Sequence, residues 1–328
     1  MQHLTSLYDI TPDNFNELIH LALDIKTRTK AGERPGTLAN RVLLQVFEKP
    51  SLRTRNSFEA TMIQLGGGGI FMTAKEAGFH GRESMADIAK VSSGYADFVT
   101  LRTFSQQLIE DYAANASCPV INALSDDRHP CQALTDFVTI QEVVGKLNGV
   151  RLAFIGDGNN VAQSLAIASA MAGTSFVVAS PQGYELPSDF LDDLTTKFPS
   201  ADVSQSNDSS AAVKEADVVY TDVWASMGQE TEASDRAKAF SNFQVNKELM
   251  TQAPAGCRFM HDLPARRGLE VTDEVMDNEN SIVFTQAENR MHLASFVHMA
   301  GAILISLSAK PATHHKRNTN VTTRFTRS

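Results

Sequence analysis

The stretch VLLQVFEKPSLRTRNSFEA, residues 42–60, joins two patterns that occur together in one kind of architecture. VLLQVF, 42–47, is a short, almost continuous apolar run of the sort that fills a parallel strand covered on both faces. Beyond Pro50, Ser51 is a good helix N-cap, and Phe58, Met62 and Leu65 recur at the spacing of one helix face. Arg53 and Arg55 therefore fall in the first turn, where the helix dipole already concentrates positive charge, a placement that is unfavourable unless an anion sits there. Successive helical residues are about 100° apart, so the two arginines point to roughly opposite sides. One is expected to meet a ligand and the other to form a structural ion pair. Ser51, Thr54 and the free amides of the first turn all suit phosphate oxygens.

Working outward, strand-like and helix-like segments alternate. VLLQVF, GIFM, DFVTL and PVINAL read as strands in the first half, separated by helical patterns at about 53–65, 84–94, 105–114 and 131–145. KLNGV, 146–150, reads as the join. RLAFIG, SFVVAS, DVVYTDVW, CRFMHDL and SIVF are the expected strands of the second half, and a last long helix runs from about Gln286 to Leu307. Two βα series predict an α/β protein with two doubly wound parallel-sheet domains and a site in the cleft between them. A length of 328 residues agrees with two cores of roughly 150 residues each.

Composition excludes several classes. The hydrophobic fraction of 42% with 20% charged residues is that of a soluble globular chain, and no run of about 18 apolar residues predicts a membrane span. A net charge of −9 argues against a nucleic-acid partner. An N-terminus with neither basic nor apolar leader character, and cysteines (Cys118, Cys131, Cys257) without metal or disulfide spacing, predict a cytoplasmic protein. The segment 310–328 carries basic residues, no acidic ones and no apolar periodicity, which predicts a disordered tail.

In parallel sheets, ligands bind beyond the carboxyl ends of the strands, and chemistry-bearing residues gather there. Arg102 follows DFVTL. His129 and Gln132 stand in HPCQAL, where Pro130 pre-sets the helix start; a neutral imidazole can donate to a carbonyl oxygen, and an amide can read an NH2 group. GDGNN, 156–160, lacks the full GxGxxG spacing and is a weak dinucleotide signature; its asparagines suit a small polar substrate. Asp222 and Asp262 each follow an apolar strand and suit an ammonium group. Arg290 returns positive charge to the same end. The first half thus offers donors and cations, the second carboxylates and an amide.

SLRTR, HPCQ, DVWASMG and QAENR, in this order and over nearly the whole chain, closely resemble the carbamoyltransferases, and the pattern at 222–228 is most similar to the ornithine-using branch. The resemblance implies transfer of the carbamoyl group of carbamoyl phosphate to the side-chain amine of L-ornithine, giving citrulline and phosphate without a metal or organic cofactor. Ser51, Leu52 (through its backbone), Arg53 and Thr54 would hold the phosphate; Arg102, His129, Gln132, Leu263 and Arg290 would complete the carbamoyl-phosphate site. Asn160, Asp222, Ser226 and Met227 would bind ornithine, with Asp222 on the α-amino group. Residues 1–147 would form the carbamoyl-phosphate domain, with the helix at about 290–308 packing back on it, and 148–289 the ornithine domain. The family forms homotrimers in which a neighbour's loop completes the site; here that loop falls near 78–83, with His80 the candidate contact. One position departs from the family's usual pattern: Asp262 stands where His-Cys-Leu-Pro is most common, so the catalytic group would be Arg102, His129 and Asp262. Asp262 would alter the pH profile or simply replace a hydrogen-bonding group. Arg266 and Arg267 slightly favour an aspartate-using relative, a diamine acceptor would have no use for groups that bind an α-carboxylate, and a non-catalytic paralogue is the rival from another class.

Overall fold

A computed structural model describes residues 3–225 and 228–293. It contains two separate, wholly parallel sheets. The first comprises β1 (Val42–Phe47), β2 (Gly68–Thr73), β3 (Phe98–Arg102) and β4 (Val120–Leu124) in the order β2-β1-β3-β4. The second comprises β5 (Arg151–Ile155), β6 (Ser175–Ala179), β7 (Val203–Ser206), β8 (Val218–Thr221) and β9 (Arg258–His261) in the order β7-β6-β5-β8-β9. The inner strands are buried along most of their length, as their apolar runs require.

Two strand expectations in the second half change. SIVF is not a strand: Ser281 makes one bridge to Phe259, and the chain then enters the helix Val283–Leu293. Ile282 and Val283 are buried while Phe284 is exposed, and in so short an apolar run periodicity alone does not separate strand from helix. The fifth strand is instead VSQS at 203–206, an edge strand whose polar, partly exposed residues carry no apolar signal. The last helix therefore begins before Gln286. The rest of it, and the 310–328 tail, lie outside the described residues.

The strand order reverses between β1 and β3 in the first sheet and between β5 and β8 in the second. At such switch points the connections leave in opposite directions and open a crevice at the carboxyl ends of the strands. β1 leads to Ser51, β3 ends at Arg102, β5 leads to Asn159 and Asn160, and β8 leads to Asp222.

The helices Pro12–Lys30, Pro130–Val144 and Asn160–Ala172 pack between the sheets and carry one apolar core from Phe15 and Phe137 through Leu165 to Phe154. Phe137 meets Phe15 edge-on at 5.5 Å between ring centres. The Val283–Leu293 helix lies against the first half, on the Pro130–Val144 and Leu52–Gln64 helices. Buried Lys26 ties it down, donating to Asn289 and Glu142 at 2.7 Å each. Because Phe137 is wholly buried at this joint, Phe137→Ala is expected to cost about 3–5 kcal/mol of unfolding free energy, read as a lower urea midpoint in equilibrium denaturation.

Candidate active site

The crevice encloses a cavity of about 580 Å³ lined by both halves of the chain. Ser51 caps the Leu52–Gln64 helix, its hydroxyl oxygen accepting from the Thr54 amide at 3.2 Å and its O–H donating to Thr54 Oγ1 at 2.9 Å. Arg53 lines the cavity, while Arg55 turns away onto Glu59 (2.9 Å) and the Phe71 ring (3.8 Å). Thr54 also accepts from Arg290 at 2.8 Å.

Arg53, Arg102 and Arg290 share this end of the cavity, and none has a carboxylate within salt-bridge distance among the described residues. Burial is the main reason all three guanidinium groups have lowered pKa values, and mutual repulsion adds to it at Arg53 and Arg102; Arg102 is pushed down to about 9. His129 stands at the start of the Pro130–Val144 helix, its amide donating to Ser164 Oγ at 2.8 Å. Burial, then Arg290, Arg102 and Lys49, drives its pKa well below the ordinary value, so the ring is neutral. His129 Nδ1, Arg102 Nε and Arg290 Nε are buried without a hydrogen-bond partner. Unsatisfied buried polar atoms are rare in folded proteins, and their gathering around one cavity indicates a polar ligand.

The opposite wall is acidic. Asp222 accepts from Asn159 Nδ2 at 3.0 Å and from the Val223 amide at 2.6 Å. Burial and the neighbouring Asp262 carboxyl push Asp222 well above the usual carboxylate range. At Asp262 burial also opposes ionisation, but the nearby His261 ring and Arg290 outweigh it, so Asp262 is the member of the pair that stays ionised. Leu263, at φ 62°, is held in a conformation unusual for a branched residue by its amide donating to His261 Nδ1 at 2.9 Å. Asp222, His261 and Asp262 offer ligand atoms within 4.8 Å of one another. A cation there would have to displace the hydrogen bonds to both Asp222 oxygens and to His261 Nδ1.

Ser51, Leu52, Arg53, Thr54, Arg102, His129, Asn160, Asp222, Asp262, Leu263 and Arg290 thus all line one cavity. Gln132 does not. Its amide is buried behind Arg290, accepting from that guanidinium through Oε1 and donating to Asp136 at 2.8 Å. Ser226 and Met227 lie outside the described residues. His80 lines no part of this cavity; it is exposed, has a positive φ and pairs with Glu48. Arg267 is clamped by Asp273 and Asp277. In GDGNN, a Cβ on Gly158 would lie 2.4 Å from the Glu185 carbonyl carbon, so that glycine serves chain packing. Asn159 caps the following helix, and Asn160 donates to the Ser125 carbonyl at 2.6 Å.

Lys49 was not among the sequence candidates, although it sits in the same strand-end loop as Ser51. It is buried in the cavity wall against Asp126 and the Phe104 ring. Asp136 is also new. Wholly buried, it accepts from Gln132, from Gln286 (2.7 Å) and from the Tyr220 hydroxyl (3.2 Å), linking two helices with β8 of the other half.

Two parallel α/β sheets facing each other across an anion-seeking pocket and a paired-carboxylate wall define a two-substrate enzyme of the group-transfer type. The chain belongs to the aspartate/ornithine carbamoyltransferase family: the carbamoyl-phosphate-binding domain model matches residues 2–142, and the aspartate/ornithine-binding domain model matches residues 148–300. It is 45% identical over 304 residues to the ornithine carbamoyltransferase of Anoxybacillus flavithermus, covering 92% of this chain and 95% of that one. The solved ornithine carbamoyltransferase of Pyrococcus furiosus superposes with a TM-score of 0.86 at 43% identity, covering 92% of this chain and 96% of that chain. The anabolic enzyme from Campylobacter jejuni gives 0.84 at 31% identity, covering 94% and 100%.

Burial raises Asp136 to about 8 from an ordinary 3.8. Between these values the native carboxyl keeps a proton that the unfolded chain has released, so this group makes stability fall as pH rises through the interval. Asp136→Asn is expected to remove a slope of at most about 1.4 kcal/mol per pH unit, checked by urea unfolding at about pH 5.5 and about pH 7.5.

Proposed function

We propose that the protein is an ornithine carbamoyltransferase, joining the carbamoyl group of carbamoyl phosphate to the side-chain amine of L-ornithine to give citrulline and phosphate. The observation that carries this reading is the meeting, in one small cavity, of three guanidinium groups with no carboxylate in salt-bridge range among the described residues and a pair of carboxylates. A dianion suits the first and a diamino acid the second. The relatives named above carry the same activity in their names. The C. jejuni relative is an anabolic enzyme, and we adopt that direction here.

In this reading, residues 1–147 with the last helix bind carbamoyl phosphate and residues 148–289 bind ornithine. The phosphate rests on the first-turn amides at Ser51, Leu52, Arg53 and Thr54. The neutral side-chain amine of ornithine attacks the carbamoyl carbon, and negative charge grows on the carbonyl oxygen. Arg102, His129 and Thr54 receive that charge; a neutral imidazole has one N–H to give, and buried donors already oriented gain most from the forming oxyanion. As the C–O bond breaks, phosphate leaves into the cationic cluster, taking up the proton that the attacking nitrogen sheds. Arg290 orients Thr54 and draws on Gln132, which reaches the carbamoyl amine once Arg290 turns to the ligand. Asp222 takes the α-ammonium, whose charge draws off the proton that burial and Asp262 otherwise favour on it, with Asn160, Ser226 and Met227 around it. Asp262 faces the reacting amine. Most of the acceleration comes from holding two small reactants in line.

The assembly is a homotrimer in which His80 and the 78–83 loop reach a neighbour's site. The exposed apolar side chains Ile70, Val91 and Tyr95, which line one hollow on the first half, support burial of that face. Three buried, unpaired cysteines support a cytoplasmic setting.

Citrulline formation from ornithine, measured beside product formation from aspartate and 1,4-diaminobutane, tests the assignment; no citrulline at saturating substrates would refute it. Arg53→Ala is expected to lower kcat/KM for carbamoyl phosphate by on the order of 10²-fold or more. An ionised Asp262 beside the bound ammonium favours the charged amine, so Asp262→Asn should move the acid limb of kcat to lower pH by about one unit. An unchanged limb would remove Asp262 from the proton balance.

A further inference from the structure

Of the residues assigned to carbamoyl phosphate, Gln132 lies behind the cavity wall instead of in it, so whatever holds its amide decides how that amide meets the ligand. A side-chain amide has an acceptor at one end and two donors at the other, and a carbamoyl NH2 needs the acceptor. Gln132 Oε1 is turned toward Arg290, from which it accepts, while Nε2 is turned inward and donates to Asp136 Oδ1 at 2.8 Å. Asp136 stands one turn further along the same helix, a spacing at which an amide and a carboxyl meet.

Asp136 is itself fixed by partners from other elements. Gln286 Nε2 donates to the same Oδ1 at 2.7 Å, and the Tyr220 hydroxyl donates to Oδ2 at 3.2 Å. Gln286 is kept from turning over because its Oε1 accepts from the His261 amide at 3.0 Å. With two N–H groups converging on it, Oδ1 offers Gln132 an acceptor and nothing else. Gln132, Asp136, Tyr220, Gln286 and His261 are all buried, so bulk water does not compete for these bonds. Arg290 holds Gln132 Oε1 only until its guanidinium turns to a ligand; from then on the bond to Asp136 is what keeps the amide from reversing. A reversed amide would set its own NH2 against the carbamoyl NH2, donor against donor.

Resting on the carbamoyl-phosphate reading above, we propose that Asp136 is a positioning residue that keeps the Gln132 amide oxygen directed at the ligand. Asp136 thereby gives the site its preference for an acyl group ending in NH2 over one of the same shape ending in CH3, without touching either. It acts wholly through Gln132, which separates this role from its part in joining the two halves.

The test uses phosphonoacetamide, an unreactive analogue of carbamoyl phosphate with CH2 in place of the bridging oxygen, and acetonylphosphonate, in which CH3 replaces its NH2. Their dissociation constants and that of inorganic phosphate are measured by titration calorimetry for wild type, Asp136→Ala, Asp136→Leu, Asp136→Asn, Gln132→Met and the Asp136→Ala/Gln132→Met pair. Wild type is expected to prefer phosphonoacetamide by on the order of 10- to 100-fold, the discrimination of a site whose buried polar group the methyl analogue leaves unpaired. Asp136→Ala should bring that ratio within about threefold while phosphate affinity stays within about twofold, and Asp136→Leu, which fills the space without an acceptor, should do the same. Asp136→Asn keeps an oxygen for Gln132 and should preserve the ratio. Gln132→Met should lose the preference as fully as Asp136→Ala, and combining the two should add no further loss, as required of a residue that acts through its neighbour. A preference unchanged in Asp136→Ala and Asp136→Leu, a loss in Asp136→Asn as large as in Asp136→Ala, or a fall in phosphate affinity equal to that in phosphonoacetamide affinity, misfolding included, would overturn the assignment while leaving the carbamoyl-phosphate reading in place. A wild type that binds neither phosphonate would overturn that reading and this assignment with it.

Discussion

Arg53, Arg102 and Arg290 are held at one end of a cavity with no carboxylate in salt-bridge range among the described residues. Burial lowers the pKa of all three groups, and repulsion between like charges in this partly desolvated site adds to it at Arg53 and Arg102. A fold tolerates such a cluster only when the surrounding structure holds each member in place. Here Arg102 ends a buried strand, Arg53 sits in a capped first turn, and Arg290 is bound to Thr54 and Gln132. An anion among the three would offset that repulsion.

The sheets make this placement possible. Each reverses its strand order once, and the reversals bring Ser51 beside Arg102 and the Asn159–Asn160 pair beside Asp222. Asp136 then connects the halves at the back of the site: it holds Gln132, behind the cations, and meets Tyr220 from the second sheet. A buried carboxyl that keeps its proton near neutral pH makes this joint without adding a charge that would draw the arginines away from the cavity.

Much of this was readable from residue pattern. Ser51 as a cap, the opposed directions of Arg53 and Arg55, and the strand-end positions of Arg102, His129, Asp222 and Asp262 follow from local geometry, because helix rotation and strand direction are short-range properties. VSQS was missed because an edge strand need not be apolar, and SIVF was misread because a short apolar run is equally at home entering a buried helix. Lys49 carried a usable signal in its strand-end position. Asp136 carried none, since a single acidic residue on a helix gives no sign that it will be fully enclosed.

Local sequence specified the alternating elements, their caps and the residue types brought to each strand end, since these depend on contacts within one or two turns of chain. Tertiary packing alone set the charge states and the allegiance of the side chains: a neutral His129, a proton on Asp222 in preference to Asp262, Gln132 withdrawn behind Arg290, and Arg267 clamped. Those outcomes depend on burial and on partners far apart in the chain, and they arise only when both sheets close on the same cavity.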